Sequence, residues 1–428
     1  MIELFNSFIS DASRVLILGF GKEGRSTYSF LRKQFPGLQL GIADINSEIE
    51  KDTELSNDDK LELYLGSGYL KSLKLFDIII KSPGIIIGSI DSELVDKITS
   101  QTDLFLKCYA SQVVGVTGTK GKSTTVSLIT HFLKAVGKKT LLIGNIGVPA
   151  FDMIDAIEKD TIIVYELSAH QLEYLHRSPH IAVLLNVFPE HLDYFYSYNN
   201  YCKAKFNIYK FQNKEDCLIA NESLISKIPD RKHRFIEVSH DTYDLKIKKS
   251  PLMGDHNIIN INAALLAANE VGVSINDAIN SLDSFMSLPH RLENIGEFRG
   301  ITFINDSIST VPESTIAAVK AFGNIDTLIL GGYDRRLDYS QLIEFLETSN
   351  IRNFIFLGMA GDRMFDIFGT DTTKRLFKAN SIESAFKIIV QNTAKGSICL
   401  LSPAAASYDQ FHNFEHRGDT FKALAVRL

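Results

Sequence analysis

Gly118-Thr119-Lys120-Gly121-Lys122-Ser123-Thr124 stands between an apolar strand-like segment, VVGVT, and a helical segment running from about Ser123 to Val136. That is the setting in which a glycine turn cradles nucleotide phosphates. Backbone N–H groups at a helix start face outward, and glycine lets the chain wrap closely around anionic oxygens. In such a loop Lys122 neutralises the β- and γ-phosphates and Ser123 offers its hydroxyl to Mg2+. The generic eight-residue pattern would put glycine at 116, where this chain has Val116, so the match is to the tighter G-T-K-G-K-S-T. A glycine-rich turn followed by a basic helix start is the plainer alternative.

Two further constellations carry chemistry. Gly19-Phe20-Gly21-Lys22-Glu23-Gly24 follows an apolar strand and precedes a helical stretch, and Asp44 ends the next strand. This fits a dinucleotide fingerprint, yet the same turn serves any ligand whose diphosphate rests on a helix N-terminus, and its glycines also allow close helix-to-strand packing. Downstream, the strand TIIVYELS contains Glu166, the strand IAVLLNV leads to Pro189-Glu190-His191, and Lys205 stands in KAKFNIYK. A carboxylate and an imidazole at neighbouring strand ends would converge on a Mg2+ held by a triphosphate. Taken singly, His191 reads equally as a hydrogen-bonded loop histidine and Lys205 as a solvated helix lysine.

The elements that must hold these residues form three α/β series. The first runs from VLILGF through a helix to LQLGIAD, then to FDIIIKSPGI, where Ser82-Pro83-Gly84 breaks the strand and leaves a loop at its carboxyl end, the place where open α/β sheets bind ligands. The second starts at VVGVTG and continues with strands near 140–144, 161–167 and 181–187. A mixed polar region over 215–256 precedes an alanine-rich helix stopped at Gly272. The third has strands near 301–305, 326–331, 353–358 and 397–402. With 428 residues, about three domains are expected, with boundaries near 108–112 and 288–292.

Composition narrows the class of function. A formal net charge of −6 gives no general electrostatic footprint for nucleic acid or anionic membrane, so polyanion binding must be local. Cys108, Cys202, Cys217 and Cys399 include no CxxC pair and read as reduced structural thiols. The N-terminal stretch has no basic region followed by a long apolar one, and no segment offers 18 uninterrupted apolar residues. A cytoplasmic protein without membrane insertion is expected.

With these residues in hand the chain resembles the Mur ligase family over essentially its whole length. The resemblance rests on TGTKGKST, GNIG (144–147), YELSAHQLE (165–173), LNVFPEHLDYF (185–195), AKFNIY (204–209), GDHNIIN (254–260), LPHRLE (288–293), NDS (305–307) and SPAAASYDQFHNFEHRG (402–418). It implies an α/β three-domain Mur ligase architecture, with Rossmann-like N- and C-terminal domains and a central P-loop ATPase-like domain. The corresponding divisions are 1–107 for a UDP-sugar, 108–288 for ATP and 289–428 for glutamate. On matching positions, Gly21, Lys22, Asp44, Ser82, Pro83, Gly84, Asn145 and Ser168 would serve the UDP-sugar. Gly118, Thr119, Lys120, Gly121, Lys122, Ser123, Thr124, Asn257, Asn260, Arg291 and Asp306 would serve ATP. Lys122, Glu166, His191 and Lys205 would be catalytic. The metal would be held by Ser123, Glu166, His191 and Lys205, the lysine as a carbamate made from CO2.

The implied reaction joins glutamate to UDP-N-acetylmuramoyl-L-alanine through an acyl phosphate at the expense of ATP, in peptidoglycan precursor synthesis, by a monomer. The sequence departs from the family on the glutamate side. NDS is followed by Ile308, Ser309 and Thr310, so the family's lysine is replaced by Ile308 while Thr310 keeps its place. In Gly331-Gly332-Tyr333-Asp334-Arg335-Arg336, Arg335 occupies the position of a carboxylate-reading lysine, and arginine can bind a carboxylate bidentately. Ser407 and Phe414 would line the same pocket. D-glutamate is the default amino acid and the L-glutamate-adding variant the alternative; an NAD-dependent oxidoreductase would explain GFGKEG and Asp44 but not the phosphate loop.

Overall fold

The computed structural model describes residues 9, 14–88, 91–145, 148–228, 232–243, 252, 255–285, 289–369 and 373–428. Ile146 and Gly147 of GNIG, Gly254 of GDHNIIN and Leu288 of LPHRLE lie outside these. Three sheets emerge. The first holds β1 (Arg14–Leu18), β2 (Gln39–Asp44), β3 (Leu61–Leu65), β4 (Ile78–Lys81) and β5 (Ile98–Thr99) in the order β3-β2-β1-β4-β5, all parallel. The second holds β6 (Val113–Thr117), β7 (Thr140–Gly144), β8 (Ile162–Glu166), β9 (Ile181–Leu184), β10 (Cys217–Asn221) and β11 (Arg234–Val238) in the order β11-β10-β9-β6-β8-β7, again all parallel.

The third sheet is mixed. It holds β12 (Glu293–Phe298), β13 (Ile301–Asn305), β14 (Ile325–Gly331), β15 (Asn353–Leu357), β16 (Arg375–Ala379) and β17 (Ser397–Leu401) in the order β12-β13-β17-β14-β15-β16. Only β12 runs antiparallel among these strands, joined to β13 by Arg299-Gly300. Both turn residues have positive φ, 53° and 79°, the twist that a two-residue hairpin needs.

Central strands such as β6, β9, β14 and β15 are buried from end to end, which is why they read as unbroken apolar runs rather than alternating ones. The chain forms two compact units, one carrying the first two sheets and the helices through Asp283, the other carrying the third sheet. In the first unit one apolar cluster runs from Val15 and Ile42 of one sheet to Ile163, Leu184 and Leu218 of the other, and a second packs Leu16, Leu18 and Ile79 on the first sheet. Helix Gln101–Tyr109 joins them: Gln101 donates to Ser26 and Thr27 and accepts from the Ala150 N–H, and Phe105 packs edge-on against Tyr165 with ring centroids 5.7 Å apart. The expected 107/108 boundary falls inside this helix. No helix among the described residues is long and apolar enough to cross a membrane.

At the first glycine turn, Gly19 (φ 89°) lets the chain leave β1, and its carbonyl accepts the Ser82 hydroxyl at 2.7 Å. Gly24, in helix Lys22–Gln34, presses against that carbonyl so closely that a Cβ would overlap it, whereas Gly21 faces open space. Gly24→Ala is therefore expected to destabilise the protein by roughly 1–3 kcal/mol, as overpacking does. Gly21→Ala should stay within about 0.5 kcal/mol of the parent, as open surface positions do. Thermal or urea unfolding of the two variants side by side checks this, and equal midpoints would refute it.

Candidate active site

The phosphate loop is shaped before any ligand arrives. Gly121, with φ 87°, caps helix Lys122–Ala135, and a Cβ there would run into the Asn260 side-chain oxygen. Asn260 in turn donates to Asn257 at 3.1 Å, both side chains buried near the start of helix Asp255–Glu270. On the opposite side Asn186 grips the loop three times. Its carbonyl accepts the Thr119 N–H, its side-chain oxygen accepts the Lys120 N–H at 2.9 Å, and its amide donates to the Lys120 carbonyl. Thr119 is held by the Phe188 backbone and by Tyr201.

Two lysines converge on this loop. Lys122 donates to the carbonyls of Gly118 at 2.9 Å and Thr119 at 3.0 Å; Lys205, from helix Tyr198–Lys210, donates to the same Gly118 carbonyl at 2.8 Å. Lys205 is almost wholly buried and its ammonium lies over the Tyr201 ring. Burial, and then the neighbouring Lys122 charge, drive its pKa well below the ordinary lysine value. Lys120 pairs with Glu190 at 2.7 Å. Burial pushes that carboxyl up, but Lys120, His191 and Lys122 together outweigh it and hold Glu190 below its usual range.

Glu166 ends β8 opposite Val116 of β6, which places it at the strand edge beside the loop. One of its oxygens accepts from Asn145 at 2.8 Å, and the other is buried with no hydrogen-bond partner. A buried carboxylate oxygen without a donor is costly unless a cation completes it. His191 stands at a left-handed backbone position, φ 55°, half exposed, its ring 4.9 Å from that of His170. His170 is pushed down to about 4 by burial and by His191, so its imidazole is neutral at pH 7. Among the described residues no three His, Cys, Asp or Glu side chains are grouped to hold a metal ion.

The UDP-sugar candidates split. Lys22, Pro83, Asn145 and Ser168 line one cavity of about 180 Å3, together with Glu23 and Gln171. Asp44 instead fastens the turn, accepting the N–H groups of Phe20 at 2.7 Å and Asn46 at 2.8 Å, and Ser82 is bonded to the Gly19 carbonyl. Gly21 and Gly84 have nothing within reach of a Cβ. Ser168 caps the short helix Ala169–Leu172 in a reciprocal capping box with Gln171.

In the second unit the glutamate candidates cluster at the carboxyl ends of β13, β14 and β17. Arg335 donates to the Thr310 carbonyl at 2.6 Å, which joins one departure from the family pattern to the position that keeps its place, two residues after Ile308. Asp306 accepts from Ser402 at 2.8 Å and from the Leu292 N–H, and its burial pushes its pKa up to about 6 against those bonds and Arg291. Arg291 has its Nε buried without a partner. Two residues that sequence reasoning missed organise this end. Asn305 donates to His290, Glu293 and the Gly418 carbonyl. Arg417, whose burial holds its guanidinium down to about 10, donates to the hydroxyl and carbonyl of Ser307 and to the Ala406 carbonyl. Ser307 reaches the Phe414 carbonyl at 2.8 Å, and Ser407 is buried in the adjoining loop. Asn305 and Arg417 lay within quoted motifs, but nothing in residue type marked them as hubs. For Asn186 the signal was an amide at the end of an apolar strand.

Comparison with known proteins follows the same lines. The family described as Mur ligase middle domain matches residues 116–249. Proteins named UDP-N-acetylmuramoylalanine--D-glutamate ligase are similar over nearly full length: that of Acetivibrio thermocellus is 30% identical over 96% of each chain, and that of Clostridium kluyveri 31% over 98% of each. That of Clostridium botulinum is 32% identical over 99% of this chain and 98% of its own. Among solved structures, the MurF ligase of Thermotoga maritima in complex with ADP superposes with a TM-score of 0.59 at 18% identity, covering 96% of this chain and 95% of its own. The UDP-N-acetylmuramate-alanine ligase MurC of the same organism gives 0.56 at 17%, covering 95% and 98%. At such identities the structural likeness shows the fold.

The cavity carboxyl Glu23 supplies a pH test. Burial raises its pKa from about 4.5 to about 7, against the opposing Gln171 hydrogen bond and Lys81 charge. A group whose folded pKa is raised contributes stability that is fully present below its unfolded value and is lost as pH rises through the folded one. The melting midpoint of the parent should therefore fall relative to that of Glu23→Gln between pH 4.5 and 7 and level off above. A difference that stays flat across that window would contradict the assignment.

Proposed function

The chain belongs to the Mur ligase family, and from that membership we propose that it is an ATP-dependent, ADP-forming ligase that adds D-glutamate to UDP-N-acetylmuramoyl-L-alanine in peptidoglycan precursor synthesis. The observation that carries this reading is the phosphate loop with Lys122 and Lys205 on one carbonyl and the unpartnered Glu166 oxygen at the neighbouring strand end. The near-full-length likeness to D-glutamate ligases supports the substrate. The division of labour follows the three sheets: 1–107 for the UDP-sugar, 108–288 for ATP, 289–428 for glutamate. A monomer in the cytoplasm suits this division.

In the proposed reaction a carboxylate oxygen of the alanyl group bonds to the γ-phosphorus of ATP as the bond to the β-bridging oxygen breaks, giving an acyl phosphate and ADP. The glutamate nitrogen, having lost a proton, bonds to the acyl carbon, and phosphate leaves. Backbone N–H groups around Gly121 and the start of helix Lys122–Ala135 face the phosphates, and Lys122 supplies charge where it develops. Asn257 and Asn260 keep the loop in shape, while Lys22, Pro83, Asn145 and Ser168 hold the sugar side. Mg2+, held by Ser123, Glu166, His191 and Lys205, would supply charge stabilisation to the transferring phosphoryl group. The depressed pKa of Lys205 favours the neutral amine, the form that adds CO2, and a carbamate there would turn a cation beside Lys122 into an anion suited to the metal. Arg335 with Thr310, and Ser407 with Phe414, would hold the glutamate. Arg291 and Asp306 would serve ATP.

Lys122→Ala should reduce phosphate release dependent on UDP-N-acetylmuramoyl-L-alanine by at least a thousandfold; near-normal turnover would overturn the assignment. Arg335→Ala should raise the KM for glutamate at least tenfold with a smaller change in kcat, because a charged carboxylate contact is lost. Both are read by coupled phosphate release, with D- and L-glutamate assayed separately. Equal or greater kcat/KM with L-glutamate would replace the D-isomer as substrate.

A further inference from the structure

A cavity of about 770 Å3 in the first unit shares no lining residue with the smaller one beside Lys22 and Asn145. Its size is that of a small-molecule site, typically about 300–1,000 Å3. Tyr174, Tyr194, Phe195 and Phe206 present aromatic surface to it, and Lys203, Lys210, Lys227 and Lys232 stand around it. Glu173, the one carboxylate among the described lining residues, is already engaged by Tyr194 at 2.7 Å and by the buried Lys81 at 3.3 Å. In a chain of net charge −6 this is a locally cationic, aromatic hollow. At its edge Tyr196 holds a left-handed backbone conformation, φ 60°, with its side chain 70% exposed, and Ile86 is 44% exposed. Strain and exposed apolar area of this kind collect at ligand clamps.

We propose that this cavity binds a small aromatic anion, whose ring stacks among the tyrosines and phenylalanines while its charge meets Lys203 and Lys227, and that the occupant acts on the UDP-sugar loop. Aromatic bodies and lysine ammoniums together favour that chemistry over a neutral apolar ligand. The link to the loop is Tyr194. Its hydroxyl, already donating to Glu173, stands 3.1 Å from the Ile85 carbonyl and accepts from Lys81 at 2.8 Å, and Lys81 immediately precedes Ser82-Pro83-Gly84. Tyr194 also packs on His170, ring centroids 4.4 Å apart, three residues after His191. A ligand that displaces the Tyr194 ring would therefore disturb both. The action on the loop rests on the UDP-sugar reading given above; the binding itself does not.

The test uses the full chain and 8-anilinonaphthalene-1-sulfonate as probe, followed by its fluorescence. One saturable site is expected, weakened at least tenfold in K203E/K227E at an unchanged melting midpoint, not displaced by ATP, and weakened by UDP-N-acetylmuramoyl-L-alanine only severalfold, to a limit that saturating substrate does not exceed. A second variant, Phe206→Ala, should weaken binding independently of charge. Unchanged affinity in both variants, or competitive displacement by either substrate, would overturn the site. In turnover assays, saturating probe should raise the KM for the UDP-sugar severalfold in the parent but not in K203E/K227E; an unmoved KM would overturn the action on the loop while leaving the fluorescence result to judge the site. Because the fluorescence arm needs no turnover, failure of the site and failure of the ligase assignment give different results.

Discussion

Two lysines share one carbonyl oxygen. Lys122 and Lys205 both donate to Gly118, one of them almost wholly buried, and the loop they meet is held by the Asn186 side chain and by the Lys120–Glu190 pair. Like charges about 4 Å apart at an effective dielectric near 20 repel by about 4 kcal/mol, so this arrangement favours loss of one proton or the arrival of an anion. The depressed pKa of Lys205 is the first response, and a phosphate would be the second. Around that constraint the second sheet is arranged: β6 delivers the loop, β8 delivers Glu166, and the segment after β9 delivers Asn186 and His191, all from the carboxyl ends of parallel strands.

Much of this was legible in the residues. The phosphate loop announces itself because glycine, lysine and hydroxyl types are needed at fixed spacing between a strand and a helix, and Glu166 is conspicuous as a carboxylate ending an apolar run. The first βαβ unit was equally plain, since VLILGF and LQLGIAD are buried strands around one amphipathic helix.

Less visible were elements whose stability comes from pairing rather than pattern. β12 and β16 carry half-exposed, charged sequences and sit at the two edges of the third sheet, where neither alternation nor an unbroken apolar run is required. The turn joining β12 to β13 uses Arg299 at positive φ, a residue type that does not advertise such a turn. Hubs such as Asn186, Asn305 and Arg417 are polar residues whose partners lie far off in sequence, so their roles exist only once the sheets are folded. The aromatic cavity is hidden for the same reason, being drawn from four separate stretches of the first unit.

Arg417 has a bearing on how small a ligand the third sheet can recognise. Its guanidinium binds the segments that carry Ser307 and Ala406, and Ser307 ties in the start of the last helix at Phe414. The loops are thus ordered by folding, through a rigid planar group that forms several bonds at once. Free glutamate has only ten non-hydrogen atoms, and even the best small ligands gain no more than about 1.5 kcal/mol per atom. A molecule that size has little energy to spend on gathering loose chain. On the proposed glutamate reading, discrimination between one amino acid and its mirror image would come from positions that folding has already ordered, so handedness would be a property of the folded scaffold rather than of the encounter.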